Sequence, residues 1–241
     1  MRANYLCGSI IGALQAKKLG LRKIYLIEFG VATGGGFRSL VAVGDLIRSH
    51  FGIEVEVVGF DNRDGLPAIT DYRDHPEIWS SAQFAMDDLF DGLDDFAKAN
   101  GARLIIGDIA DTLPAFLREM GASEANGAAL AFCSIDVDLY SSTVPITAFL
   151  EQVEASRLLP ATVLYVDDVF VNWTYSRFAG EGLAIDEFNN RNDKRKIELK
   201  HKGHKLFALH AFDHEARSEV GRVKEPFEIY YKALCNAVGR R

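Results

Sequence analysis

Five times along this chain a short apolar run ends on, or beside, an acid. The runs are residues 23–29 carrying Glu28, 54–61 ending on Asp61, 102–107 followed by Asp108, 129–137 carrying Asp136, and 161–166 followed by Asp167 and Asp168. Runs of this length read as strands buried on both faces. Helical patterns fill the gaps. Leu40, Val43, Leu46 and Ile47 stripe a helix over 37–50, and Leu89, Phe90, Leu93 and Phe96 stripe one over 86–99. A short helix is expected over 113–120, with Pro114 in its first turn, where a missing N–H costs little. Another is expected over 142–159, capped by Ser142 or Thr143 with Pro145 near its start, and a further one over 182–190. Strands alternating with helices imply an α/β fold with a doubly wound, mostly parallel sheet. Residues 197–201 and 205–212, joined through Gly203, read as a C-terminal antiparallel hairpin. Residues 226–238 fit either strand or helix.

No linker interrupts the pattern. The 241 residues are expected to form a single domain, with a helical segment over 1–22, a core over 23–212 and a C-terminal extension over 213–241. At the N-terminus, Arg2 and the apolar stretch from Tyr5 to Leu14 faintly resemble a signal peptide. The stretch is short and broken by Gly8 and Gly12, so an amphipathic helix over 4–19 is the expectation. No apolar run approaches the length of a membrane span. Cys7, Cys133 and Cys235 are odd in number and lack metal-type spacing, as expected of reduced thiols in a cytoplasmic protein. The net charge of −7 argues against a nucleic-acid partner. A homo-oligomer is left open.

In an open α/β sheet, ligands bind beyond the carboxyl ends of the strands, where the strand order reverses. Acids placed regularly along that edge therefore matter more as a set than singly. Two of the runs end on paired carboxylates, Asp136 with Asp138 and Asp167 with Asp168. Buried negative charge of this kind needs a cation to neutralise it. All-carboxylate ligation suits Mg²⁺ or another hard divalent cation, and not zinc. The plain alternative is that the four aspartates are separate strand-end caps and turn residues. The turn Gly30–Gly36 lets backbone approach a ligand closely, although a simple strand-to-helix turn would look the same. It lacks the Gly-Lys-Ser/Thr of a phosphate loop and the GxGxxG spacing of a dinucleotide site. Asp61 fits an acid that binds ribose hydroxyls, or equally a turn-initiating residue before Asn62 and Gly65.

Glu28-Phe29-Gly30-Val31-Ala32-Thr33-Gly34-Gly35 resembles the first motif of class I S-adenosylmethionine-dependent methyltransferases. Gly59-Phe60-Asp61 with Gly65-Leu66-Pro67, and Gly107-Asp108 with Thr112-Leu113-Pro114, sharpen the match. Asp136-Val137-Asp138-Leu139-Tyr140-Ser141-Ser142-Thr143 and Asp167-Asp168 resemble the metal-site motifs of the macrocin O-methyltransferase group, which methylates sugar hydroxyls. The resemblance runs from about Ile24 to Phe188. It implies that Glu28, Gly30, Gly34 and Gly35 hold the methionine part of S-adenosylmethionine, that Asp61 binds its ribose, and that Asp108 lies near its adenine. It also implies that Asp136, Asp167 and Asp168 bind Mg²⁺ and that Asp138 is the general base. A divalent cation makes a neighbouring hydroxyl more acidic, so a nearby carboxylate can remove its proton near neutral pH. The chain departs from the group at Leu159-Pro160-Ala161, where a Gly-Gly pair is usual, and at Val169, where an aromatic is usual.

The expected function is transfer of a methyl group to a hydroxyl of a small acceptor, with a sugar favoured. A catechol-type methyltransferase, a non-catalytic cofactor-binding module, and another metal-dependent transferase or hydroxylase on the same scaffold are the alternatives. Phe170, Trp173, Tyr175 and Phe178 are expected to wall an acceptor or to pack a small core of their own. Lys194, Arg195, Lys196, Lys200, Lys202 and Lys205 are expected to protect an exposed sheet edge rather than bind an anion. His201, His204, His210 and His214 are scattered by strand alternation and are not expected to hold a metal.

Overall fold

A computed structural model describes residues 1–86, 89–122, 128–169 and 175–217. Its described elements follow the order α1 (Ala3–Lys18), β1 (Lys23–Phe29), α2 (Gly35–Phe51), β2 (Glu54–Asp61), α3 (Leu89–Ala99), β3 (Arg103–Ile106), α4 (Ile109–Ala122), β4 (Ala129–Ile135), α5 (Tyr140–Gln152), β5 (Leu158–Val166), α6 (Gly180–Arg191), β6 (Arg195–His201) and β7 (Leu206–Ala211). The strands form one seven-stranded sheet in the order β3-β2-β1-β4-β5-β7-β6. The first five are mutually parallel, and β7 pairs antiparallel with both β5 and β6. The strand order reverses between β1 and β4, and this is where a ligand crevice opens.

The sheet is covered on both faces because its strands are apolar on both. Ile24 and Leu26 of β1 join a core built from Tyr5 and Ile10 of α1, Phe37 and Leu40 of α2, and Leu93 of α3. Tyr25, Ile27 and Phe29 point the other way, into a core with Phe116 of α4, Phe149 of α5 and Phe188 of α6. Within that second core the Phe29, Phe60, Phe116 and Phe149 rings stack at tilted or edge-on angles, with centroids 5.3–6.2 Å apart. Such pairs add about 0.5–1.5 kcal/mol beyond their buried area.

The two glycines that break the apolar run in α1 mark its line of contact with the sheet. A β-carbon on Gly8 would lie 2.5 Å from the Phe132 ring, and one on Gly12 would lie 2.4 Å from the Ala131 carbonyl oxygen. The helix therefore lies against β4, and only glycine allows that approach.

Several boundaries differ from expectation, each for a local reason. The fourth helix starts at Ile109 because Asp108 caps it, accepting from the Ala110 N–H at 2.8 Å. Pro114 then falls in the second turn rather than the first. Helix α5 starts at Tyr140 and stops at Gln152, and neither Ser142 nor Thr143 is its cap. Asp74 supplies that function from the 3-10 turn Tyr72–Asp74, accepting from the Ser141 N–H at 2.7 Å. Strand β5 begins at Leu158, not Ala161, despite Pro160. The Thr162 hydroxyl bridges the break in the ladder, accepting from the Leu159 N–H at 3.0 Å and donating to the Leu130 carbonyl at 3.1 Å. Residues 226–238, Cys235, Phe170 and Trp173 lie outside the described residues.

Candidate functional site

Beyond the carboxyl ends of β1, β2, β3, β4 and β5 the chain surrounds a cavity of about 720 Å³, within the range of pockets that bury a cofactor-sized molecule. Glu28, Gly30, Asp61, Asp108, Asp136, Asp138, Asp167 and Asp168 all line it. Gly34 and Gly35 do not. Gly34 precedes α2 at φ +80°, where a β-carbon would meet Leu93 at 2.5 Å, and Gly35 opens the first turn of α2.

Asp136, Asp167 and Asp168 each offer one carboxylate oxygen, and the three oxygens lie within 4.8 Å of one another. No histidine or cysteine belongs to this group, which is the one such group of three among the described residues. Asp138 stands beside it and hydrogen-bonds Asp168 through its side chain. Its backbone is left-handed, φ +62°, and the Leu139 N–H reaches the Val137 carbonyl over it at 2.6 Å. This γ-turn turns the chain from β4 into α5 and is a strained conformation for a non-glycine residue.

The cluster is held by unequal electrostatics. Burial, with the charges of Asp167 and Asp168, pushes the Asp136 carboxyl up to about 7. Burial, with the hydrogen bond it donates to Asp168, pushes Asp138 up to about 9. Burial raises Asp168 as well. Asp167 moves the other way: burial opposes its charge, but the Lys205 ammonium and Tyr165 hydroxyl more than reverse that. Arg2 Nη1 reaches Asp136 Oδ2 at 3.4 Å. Among the described residues no basic side chain pairs with Asp138 or Asp168.

Glu28 is 1% exposed. Its Oε1 accepts from the Tyr5 hydroxyl at 2.7 Å, and that hydroxyl also bonds the Ser134 hydroxyl at 2.7 Å. Its Oε2 is buried with no hydrogen-bond partner. Burial raises the carboxyl to about 8, with the Tyr5 hydroxyl partly offsetting it. Asp61 holds the turn after β1: its Oδ2 accepts from the Val31 and Ala32 N–H groups at 2.8 Å, and its Oδ1 accepts from Arg63 N–H at 2.9 Å. With one acceptance at Oδ1, a lone pair there stays available for a hydroxyl donor.

Glu181 was not among the expected site residues. It is fully buried in the first turn of α6, whose start at Gly180 lies ahead of the expected 182. Its Oε1 accepts from the Val137 N–H at 3.1 Å and its Oε2 from the Asp168 N–H at 2.8 Å. One carboxylate thus ties the backbones of both aspartate pairs together. Burial, then the charge of Asp168, raises it well above the usual carboxylate range. Arg2, Tyr5 and Lys205 were likewise missed. An isolated Glu before a helix, or a Tyr in an apolar stretch, carries no signal along the sequence, because its partners lie tens of residues away.

The basic cluster disperses. Lys196 donates to the Asn189 carbonyl, Arg195 to the Leu150 and Glu151 carbonyls, and Lys200 to Glu198. Lys196 and Lys200 stand on β6, the edge strand. Of the four aromatics after Asp168, Tyr175 is half-buried against His75, ring centroids 4.8 Å apart, and Phe178 is 70% exposed. Among the described residues no helix is long and apolar enough to cross a membrane.

No family model matches the chain, and no curated protein does. Solved structures do. The crystal structure of CalS11, a calicheamicin methyltransferase, superposes with TM-score 0.62 at 20% identity over 85% of this chain and 77% of that one. The O-methyltransferase NovP superposes with TM-score 0.56 at 16% identity over 86% of this chain and 79% of that one. At these identities the likeness is one of fold: the chain has the Rossmann-like fold of these methyltransferases.

Proposed function

We propose that this protein is an S-adenosylmethionine-dependent, Mg²⁺-dependent O-methyltransferase acting on a hydroxyl of a small acceptor, with a sugar favoured. The observation that carries the reading is the convergence of three carboxylates and Asp138 on the same cavity wall as the turn after β1. The residues fit both absent groups. Three clustered carboxylates form a hard donor set. The unpartnered, buried Glu28 Oε2 suits an ammonium donor from the amino-acid end of the cofactor.

Bound S-adenosylmethionine supplies an electrophilic methyl group, and a bound hard cation supplies charge that acidifies a neighbouring hydroxyl. Asp136, Asp167 and Asp168 would hold the cation. Asp61 would accept from a ribose hydroxyl while it keeps the Val31–Ala32 turn in place. Asp108 would stand near the adenine. Asp138 would take the proton from the acceptor hydroxyl and so leave its oxygen able to receive the methyl group. Without a cation the Asp138 carboxyl is raised to about 9; the positive charge of a bound cation would lower it toward neutral, where a general base works best. Alignment and charge placement supply the rest of the acceleration. The sugar preference rests on the resemblance of the two aspartate motifs to the macrocin group.

The test is isothermal titration with S-adenosylmethionine and then with Mg²⁺, followed by acceptor profiling with sugars and catechols. Binding of both, with metal binding lost in Asp167→Ala, is the expected result. Cofactor binding without metal binding would leave a cofactor-binding module, and binding of neither would remove the reading altogether.

A further inference from the structure

Arg2 stands at the start of α1, lines the cavity, and belongs to none of the roles above. Its Nη1 lies 3.3 Å from the Tyr5 hydroxyl and 3.4 Å from Asp136 Oδ2, and its guanidinium sits 5.2 Å from the centre of the Tyr5 ring. The Tyr5 hydroxyl in turn lies 2.7 Å from Glu28 Oε1. Two short steps through one phenol therefore separate a guanidinium from a buried carboxylate. The Arg2 Nε and Nη2 groups donate to nothing among the described residues. Glu28 Oε2 accepts from nothing.

A guanidinium with two donor groups still open, near a buried carboxylate oxygen without a partner, is the complement of an α-amino-acid zwitterion, whose ammonium and carboxylate share one carbon. We propose that Arg2 recognises the carboxylate of the amino-acid end of the cofactor, paired with Glu28 on the ammonium. This rests on the cofactor reading given above. A planar guanidinium suits the task because it offers parallel donors to two carboxylate oxygens. Stacking on Tyr5 orients it, and Tyr5 is fixed because it is fully buried and bonded to Ser134. The N-terminal helix then has a binding function besides covering the sheet.

The experiment compares two ligands on three proteins by isothermal titration. S-adenosylhomocysteine carries the amino-acid end, whereas 5′-methylthioadenosine keeps the adenosine and sulfur without it. In the wild-type chain both bind. In Arg2→Ala, affinity for S-adenosylhomocysteine falls by about tenfold or more, as for loss of a charge-assisted pair. Affinity for 5′-methylthioadenosine stays within about twofold, which also shows that the variant is folded. Arg2→Lys recovers part of the loss, since it restores charge without the fork. Unchanged affinity for S-adenosylhomocysteine in Arg2→Ala overturns the inference. So does an equal loss for both ligands, which would make Arg2 a structural support. If the wild-type chain binds neither ligand, the cofactor reading itself is wrong and this inference falls with it.

Discussion

A β-carbon on Gly30 would lie 1.8 Å from the carbonyl oxygen of Asp136. The turn after β1 and the end of β4 thus touch at the point where the sheet order reverses. Gly30 also has φ +85° and donates its N–H to the Phe60 carbonyl at 3.0 Å. It can neither move away nor accept a side chain. Gly30→Ala should destabilise the protein by roughly 2–4 kcal/mol in urea denaturation, through backbone strain and overpacking together. Gly35→Ala is the control, because its β-carbon would meet nothing within 4 Å. That variant should unfold at the wild-type midpoint, and an equal loss in both would refute the contact argument.

The carboxylate cluster makes stability depend on pH and on metal together. Asp136 and Asp138 are raised to about 7 and about 9, well above their values in an unfolded chain. Without a cation the folded state therefore binds more protons than the unfolded state from about pH 4 upward. That contribution to stability is full below about pH 4 and is lost progressively as pH rises to the folded values of about 7 and about 9. Asp167, held low beside Lys205, contributes oppositely, but its effect is lost only in acid, outside this window. Mg²⁺ binds the ionised cluster, so its stabilising effect should grow with pH. The rise in Tm on replacing EDTA with Mg²⁺ should be larger at pH 8.5 than at pH 6. For a chain of this size each kcal/mol of difference moves Tm by about 2–4 °C. An increment that does not change with pH would separate the metal from the cluster.

The parts of the molecule that could be read along the sequence are those set by local repetition. The apolar runs gave β1 and β2 to the residue, because a strand buried on both faces has an unbroken signature. The acids at five strand ends pointed to one edge, because parallel strands bring their carboxyl ends together. Boundaries set by distant partners could not be read. Helix α5 begins at Tyr140 because Asp74, 67 positions earlier along the chain from Ser141, caps it. Gly34 and Gly35 looked like the equals of Gly30, yet only Gly30 faces the cavity. Tyr5, Lys205 and Glu181 enter the site from elements whose own patterns record only burial or an exposed edge.

Asp138→Asn separates chemistry from structure unusually well. Asparagine tolerates the left-handed backbone that Asp138 adopts at φ +62°. Its amide can donate to Asp168 as the protonated Asp138 does, and it removes only the capacity to take a proton. Methyl transfer should fall by at least about a hundredfold, in the range for loss of a general base. Affinity for S-adenosylmethionine should change little. Single-turnover kinetics beside titration would measure both. Unchanged turnover would take Asp138 out of the base role while leaving the rest of the site intact.

Glu181 offers a test of how the two aspartate pairs are kept in register. Its two oxygens accept from Val137 and Asp168 N–H groups in a fully buried setting. Glu181→Ala leaves both donors without a partner, and each such loss costs about 1–3 kcal/mol. The expected destabilisation in urea is therefore about 2–6 kcal/mol. Glu181→Gln keeps one acceptor oxygen but brings an N–H₂ group against the other backbone donor, so it should lose about half as much. Because those peptides adjoin Asp136 and carry Asp168, metal affinity should fall in the same order, with Ala worse than Gln. If stability falls but Mg²⁺ affinity does not, Glu181 supports the fold alone. If both fall together, the carboxylate that touches neither metal nor substrate sets the spacing of the ones that would.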